Sequence, residues 1–359
     1  MSASFSNEPK DFTLFLDLLK QLIRVPSVTG AEHSFLLYLK RELEEIGIKT
    51  EHYDGLLVAS GKDPLNGILS AHIDRHGTGP NEFQFAAFLA KNRSDLRGNS
   101  LSEQTFQQIS QRYINQNVHA YEPFSGSYLG IGKITDAFLK EEINNLVFKI
   151  EGLNHLLPST PIAFVDKLKQ NGNLISAQLD NVLSAAIILY LYQHGFAGTA
   201  FFTAQEEAGK SWRFVHEWFK KNKISTDKLV VLDTSPYETR EEADKQLVVL
   251  RNKDVNAKFK SPLLKELKQF CKKNKISFSC KDKFIIEKNK LREKEGLKPI
   301  SIGSTELGRI VMESNGQIQG ATLQIPTTGY HTVDETACVE SIKAIIFILS
   351  SFYIKTVNI

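Results

Sequence analysis

The chain has 359 residues, more than the roughly 250–300 that one hydrophobic core usually organises, so a large unit plus a smaller one is expected. Hydrophobic residues make up 42% and charged residues 24%, an ordinary globular composition, and a net charge of +3 is too small to point to nucleic acid. The three cysteines, Cys271, Cys280 and Cys338, exclude a disulfide framework or a thiolate zinc site, and no run reaches the ~18 apolar residues of a membrane span.

The start, "MSASFSNEPKDF", lacks the basic-then-apolar pattern of a secretory signal, which makes the cytoplasm the expected compartment. Residues 11–24 show helical periodicity and end at Pro26. "TGAE" then offers a capping box, Thr29 with Glu32, for a second helix running to about Ile46. Three strand-like runs follow, "IKTEHY", "GLLVAS" and "GILSAHID", the last ending in His72 and Asp74. Residues 82–117 are polar and helical in pattern; 121–176 read as short strands between Gly, Pro and Asn. Helix and strand then alternate from "NVLSAAIILYLYQHG" through "GTAFFTAQEE", "SWRFVHEWFKKN" and "KLVVLDTS" to "ATLQIPTTGYHT" and a closing helix, "VESIKAIIFILSSFYI". The lysine-rich stretch 253–298 reads as solvated helix faces. The alternation predicts an α/β fold with a mainly parallel central sheet and helices on both faces. Residues 1–76 and 177–359 would form the main unit, interrupted by a smaller, helical-then-β insert at 77–176.

His72, Asp180, Glu206–Glu207, Asp233 and His331 all fall at the end of an apolar strand or the start of the element after it. In an open parallel sheet, ligand sites form outside the carboxyl ends of the strands, so two histidines and four carboxylates are expected on one rim. That donor set suits two divalent ions, zinc first and cobalt or manganese next, with one carboxylate shared. One glutamate is left to take a proton from water. Adjacent strand residues point to opposite sides, so the strand must give way to a turn at Glu206–Glu207, which Ala208–Gly209 permits.

The segments "AHID", "LDN", "QEEAG", "VLD" and "TTGYHTVDET", in this order, resemble the two-metal aminopeptidases of the glutamyl, deblocking and tetrahedral type, and "RVPSVTGAE" and "YDGLLVASG" extend the likeness nearly end to end. The insert between Asp74 and Asp180 also resembles that family, whose insert helps build oligomers. The resemblance implies that His72, Asp180 and Asp233 hold one metal, and that Asp180, Glu207 and His331 hold the other. Asp74 would orient His72, and Glu206 would be general base and then general acid. The implied activity is removal of N-terminal residues from short peptides by a homo-oligomer, a dimer or larger. The chain departs from the family's pattern at Arg75 and His76, where an acid usually follows the His-x-Asp unit, at "GKSW" after the paired glutamates, and in the polar helical start of the insert. A deacylase on the same scaffold and a non-catalytic, metal-retaining peptide-binding protein are the alternative readings.

Overall fold

The computed structural model describes residues 12–77, 103–140, 145–153, 156–157 and 160–354. In chain order the main elements are α1 (Phe12–Arg24), α2 (His33–Glu45), β1 (Lys49–Tyr53), β2 (Leu56–Ser60), β3 (Ile68–His72) and α3 (Glu103–Tyr113). Then come β4 (Asn117–Tyr121), β5 (Tyr128–Lys140), β6 (Asn145–Glu151), β7 (Ile162–Phe164), β8 (Lys169–Asn171) and β9 (Leu174–Ala177). They are followed by α4 (Val182–Gln193), β10 (Thr199–Thr203), α5 (Ser211–Asn222), β11 (Thr226–Pro236), α6 (Arg240–Asp244), β12 (Val248–Leu250) and α7 (Pro262–Lys273). The chain ends with β13 (Phe278–Cys280), α8 (Lys281–Lys294), α9 (Glu306–Glu313), β14 (Ile318–Thr328), β15 (Glu335–Cys338) and α10 (Val339–Tyr353).

The large sheet runs β1-β2-β10-β3-β11-β14-β15-β9-β8, with β12 and β13 attached beside β14. Its centre, β10-β3-β11-β14, is parallel, and the flanking strands are antiparallel. The central strands are apolar without alternation, as strands covered on both faces must be. Helix α4 explains the cover on one side: every residue from Val182 to Tyr192 is buried, so it has no solvent face and lies inside, packed on α1, α10 and β3. Helices α5 and α9 form a second group against β10 and β14. The mixed α/β expectation with a parallel centre is therefore met, and the edges are antiparallel.

Strand β14 approaches β11 closely where Gly320 pairs with Leu229, and a side chain at 320 would drive into the Leu229 carbonyl. Gly320→Ala is expected to destabilise the protein by about 1–3 kcal/mol, the usual cost of overpacking, measured as a lower thermal midpoint.

A second, antiparallel sheet, β6-β5-β4-β7, uses residues 117–164. It has its own core, in which Ile109 and Tyr113 of α3 pack on Val118, Ile134, Phe148 and Phe164. Strands β8 and β9 already pair in the large sheet, so the boundary expected at 176/177 falls within β9. Of the polar pattern at 82–117, helix α3 is observed; 82–102 lies outside the described residues.

The capping box is not formed. Glu32 immediately precedes α2 and makes no side-chain cap. Its carboxylate instead accepts the backbone N–H groups of Gly30 (2.8 Å) and Gln205 (3.0 Å), while the Thr29 hydroxyl donates to Asp74 (3.0 Å). Long-range partners outcompeted the local cap.

Candidate metal centre

Parallel register brings the strand ends into line. Thr203 pairs with His72, and Val231 of β11 pairs with Ser70 two residues before it. Asp233, inside β11, is therefore level with His72 at the end of β3, and Glu206 and Glu207 follow β10 at the same edge. Asp180 reaches the same place from the segment after β9, where the Asp180–Asn181 peptide is cis and Asn181 donates to the Leu232 carbonyl (2.9 Å). His331 arrives in the loop between β14 and β15 with a left-handed backbone, φ 61°.

The expected turn after β10 is present. The strand ends at Thr203, Gln205 takes φ 59°, and the Gly209 N–H bonds to the Glu206 carbonyl (2.6 Å). The turn is tied down by "KSW": the Trp212 indole N–H donates to the Gly209 carbonyl (3.1 Å), as does Arg309 (3.2 Å). That stretch is thus a brace for the paired glutamates.

His72 Nε2 stands 3.2 Å from Asp180 Oδ1 and 3.6 Å from Asp233 Oδ1. His331 Nε2 stands 3.4 Å from Asp180 Oδ2 and 3.1 Å from Glu207 Oε1. Asp180 thus faces both histidines, one oxygen each. Two donors about 2.0–2.2 Å from one tetrahedral ion lie roughly 3.3–3.6 Å apart, so these spacings suit ligands converging on a pair of cations. Asp180 Oδ1, Glu207 Oε1 and both His331 ring nitrogens are buried without a well-directed hydrogen bond, as atoms awaiting a metal would be. Glu206 lies within the same cluster, its carboxylate within 4.8 Å of donor atoms of His72 and Glu207.

Electrostatics support the fit. Asp74, Asp180, Glu206, Glu207 and Asp233 share one small volume, and buried carboxylates in such number need positive partners. Burial disfavours the charged imidazolium of His331, but Glu207 and Asp180 overcome it and lift its pKa to about 9. Burial likewise opposes ionisation of Asp180, yet contacts with His331 and His72 hold it at about 2. Glu206 goes the other way: burial, then repulsion from Glu207, Asp233 and Asp74, outweighs the attraction of His72 and raises it well above the carboxylate range.

Asp74 is fully buried and joins the parts. It faces His72 Nδ1 at 3.4 Å and accepts the backbone N–H groups of Glu206 (2.9 Å) and Glu207 (3.1 Å). Sequence reading missed Glu335, whose carboxylate accepts the Asp180 N–H (2.9 Å) and the Thr327 hydroxyl (2.8 Å). It also left His76 unplaced; His76 is buried beside Glu207 and His331. Arg75 points elsewhere. Its guanidinium donates to Ser27 Oγ (2.9 Å), to the Ile23 carbonyl (2.9 Å) and to the Val25 carbonyl, pinning the loop around Pro26.

The cluster opens into a cavity of about 780 Å³ whose lining also includes Arg251, Lys281, Lys288 and Arg309 with Glu238 and Glu242. Both of those acids pair with Lys288, at 2.7 and 3.0 Å. Burial, then the nearby Arg251, lowers the Lys281 pKa to about 7. Among the described residues no helix is long and apolar enough to cross a membrane.

Residues 156–288 match a family model described as M42 glutamyl aminopeptidase. The span holds Asp180, Glu206, Glu207 and Asp233. No curated protein matches the sequence significantly. Among solved structures, the TET1 peptidase of Pyrococcus horikoshii, which can assemble into a tetrahedron or a large octahedral shell, is similar at 16% identity and a TM-score of 0.67, over 94% of this chain and 99% of that one. An aminopeptidase from the archaeon Desulfurococcus kamchatkensis is similar at 14% identity and a TM-score of 0.68, over 95% and 94%. A TET aminopeptidase from a marine-sediment Thaumarchaeota archaeon is similar at 15% and 0.67, over 97% and 98%. The fold is shared throughout, and with the family match over 156–288 it supports a hydrolase acting on peptide bonds.

Proposed function

We propose that this protein is a metallo-aminopeptidase of the M42 type that removes acidic N-terminal residues from short peptides. The observation that carries the reading is the single rim on which His72, Asp180, Asp233, Glu207 and His331 meet at ligand spacing beside Glu206. His72, Asp180 and Asp233 would hold one divalent ion and Asp180, Glu207 and His331 the other, zinc being the best match to this donor set. Bound there, the pair supplies Lewis acidity, polarising a peptide carbonyl and lowering the pKa of water.

The protein's own groups do the rest. Asp74 fixes the His72 ring through Nδ1 and, through two backbone N–H groups, the turn that presents Glu206 and Glu207. Glu206 takes the water proton on its carboxylate and returns it to the departing amine. Glu206 must be ionised to act as base, and ions held by its acidic neighbours would offset the repulsion that opposes this.

The cavity's basic lining supports an acidic first residue: Lys288 engages Glu238 and Glu242, while Arg251, Lys281 and Arg309 are held by neutral groups, the Gln324 side chain, the Pro236 carbonyl and the Gly209 carbonyl. The family description, glutamyl aminopeptidase, points the same way. Glutamyl, leucyl and lysyl p-nitroanilides test this, with acylated amino acids as the deacylase control. Turnover of the acylated compounds alone would refute the aminopeptidase reading. Lys281→Met is expected to cut kcat/KM for the glutamyl substrate about ten- to a hundredfold, the worth of one hydrogen bond to a charged group, and to leave the leucyl rate unchanged.

A homo-oligomer is part of the proposal, since the P. horikoshii relative of the same fold assembles into shells. Sedimentation at working concentration tests it, and a monomer would remove it.

A further inference from the structure

His76 belongs to neither ligand set nor to the base, yet it lies against both. It is 4% exposed, four residues beyond the end of β3, and its backbone carbonyl accepts the Gln178 side-chain N–H (3.0 Å). Its Nε2 stands 3.0 Å from Glu207 Oε2, while Glu207 Oε1 stands 3.1 Å from His331 Nε2. The Glu207 carboxylate is therefore bracketed, one oxygen by each imidazole. The two rings are also in tilted contact, with centres 3.6 Å apart and planes at 45°.

That ring separation decides between two roles. Imidazoles bound through nitrogen to one tetrahedral ion have ring centres about 5 Å apart, given metal–nitrogen bonds of about 2.0–2.1 Å. At 3.6 Å the rings are too close to share an ion at an ordinary angle. We propose that His76 is a positioning residue for the second metal site. It occupies Glu207 Oε2, which would leave Oε1 for the ion, and its ring packs at a tilt against that of His331. Groups that orient metal ligands in this way contribute about ten- to a hundredfold in affinity.

The inference rests on the two-metal reading above and is tested on the full-length protein by calorimetric zinc titration after metal removal. His76→Phe keeps a ring against His331 and loses the polar contact. It is expected to weaken the second ion about ten- to a hundredfold, with the first ion's affinity and the metal-free thermal midpoint unchanged. His76→Gln restores a donor to Glu207 and is expected to recover most of the loss. Cobalt placed in the second site should give the same visible spectrum in wild type and His76→Gln, because the ligand set is unchanged. Second-site affinity unaltered in His76→Phe would overturn the proposal. So would a cobalt spectrum changed in both variants without rescue by Gln, which would make His76 a ligand. Wild-type protein that binds fewer than two ions would instead refute the two-metal reading itself, and the inference with it.

Discussion

Glu206→Gln is expected to lower kcat by roughly 10²–10⁴-fold, the usual contribution of a positioned general base, with zinc content and KM nearly unchanged. The glutamine is close in shape and retains the backbone N–H that Asp74 Oδ1 accepts at 2.9 Å, so the turn should persist. The side chain cannot accept and return a proton, which isolates that role. The substitution also removes one carboxylate from a place where burial and three acidic neighbours disfavour its charge. The metal-free variant should therefore melt no lower than the metal-free wild type at neutral pH. The sign follows from linkage: a carboxyl whose folded-state pKa is raised costs the protein stability as pH climbs from the unfolded pKa to the folded one. A variant that binds two ions and keeps full peptidase activity would sink the assigned role.

The second large effect is expected at Asp180. Its two oxygens face His72 and His331 separately, at 3.2 and 3.4 Å, so Asp180→Ala takes a donor from both proposed ions at once. Each site would retain two protein donors of its assigned set, fewer than divalent zinc sites normally offer. Metal content should fall from two ions per chain to below one. Activity should fall at least about a thousandfold, since Lewis-acid stabilisation is worth several kcal/mol and each 1.4 kcal/mol is tenfold. Zinc at about a thousand times its Kd stabilises a folded protein by about 4 kcal/mol. Adding zinc to the metal-free wild type should therefore raise its thermal midpoint by several degrees, and Asp180→Ala should not respond. Equal stoichiometry in the two proteins would show that Asp180 is not shared. Circular dichroism of both metal-free proteins guards against an unfolded variant.

The residues of the rim were legible because chain topology leaves little choice. Once "GILSA", "FFTAQ" and "LVVL" read as buried parallel strands, their carboxyl ends must lie along one edge, and whatever follows them must meet there. Register makes this concrete: Thr203 opposite His72, Asp233 opposite Gln324. The turn at Glu206–Glu207 was legible for a similar reason, since two adjacent side chains cannot share a site from a regular strand. The capping box at Thr29 and Glu32 was misread because a local pattern shows only local partners. Glu32 finds Gln205, 173 residues away, and Thr29 finds Asp74, 45 away.

By itself, then, the sequence determined the α/β alternation, the places of His72 at the end of β3 and of Glu206–Glu207 after β10, and the need for a bend there, whereas Asp233 lies inside β11, which runs on to Pro236, because periodicity and strand direction are written into consecutive residues but strand ends are not. Tertiary structure alone decided that Glu335 holds the Asp180 backbone, that Arg75 turns away to pin a loop while His76 turns in against Glu207, and that Lys281 and Arg251 line one cavity with the rim. Those placements depend on how distant segments pack, and no spacing along the chain encodes them.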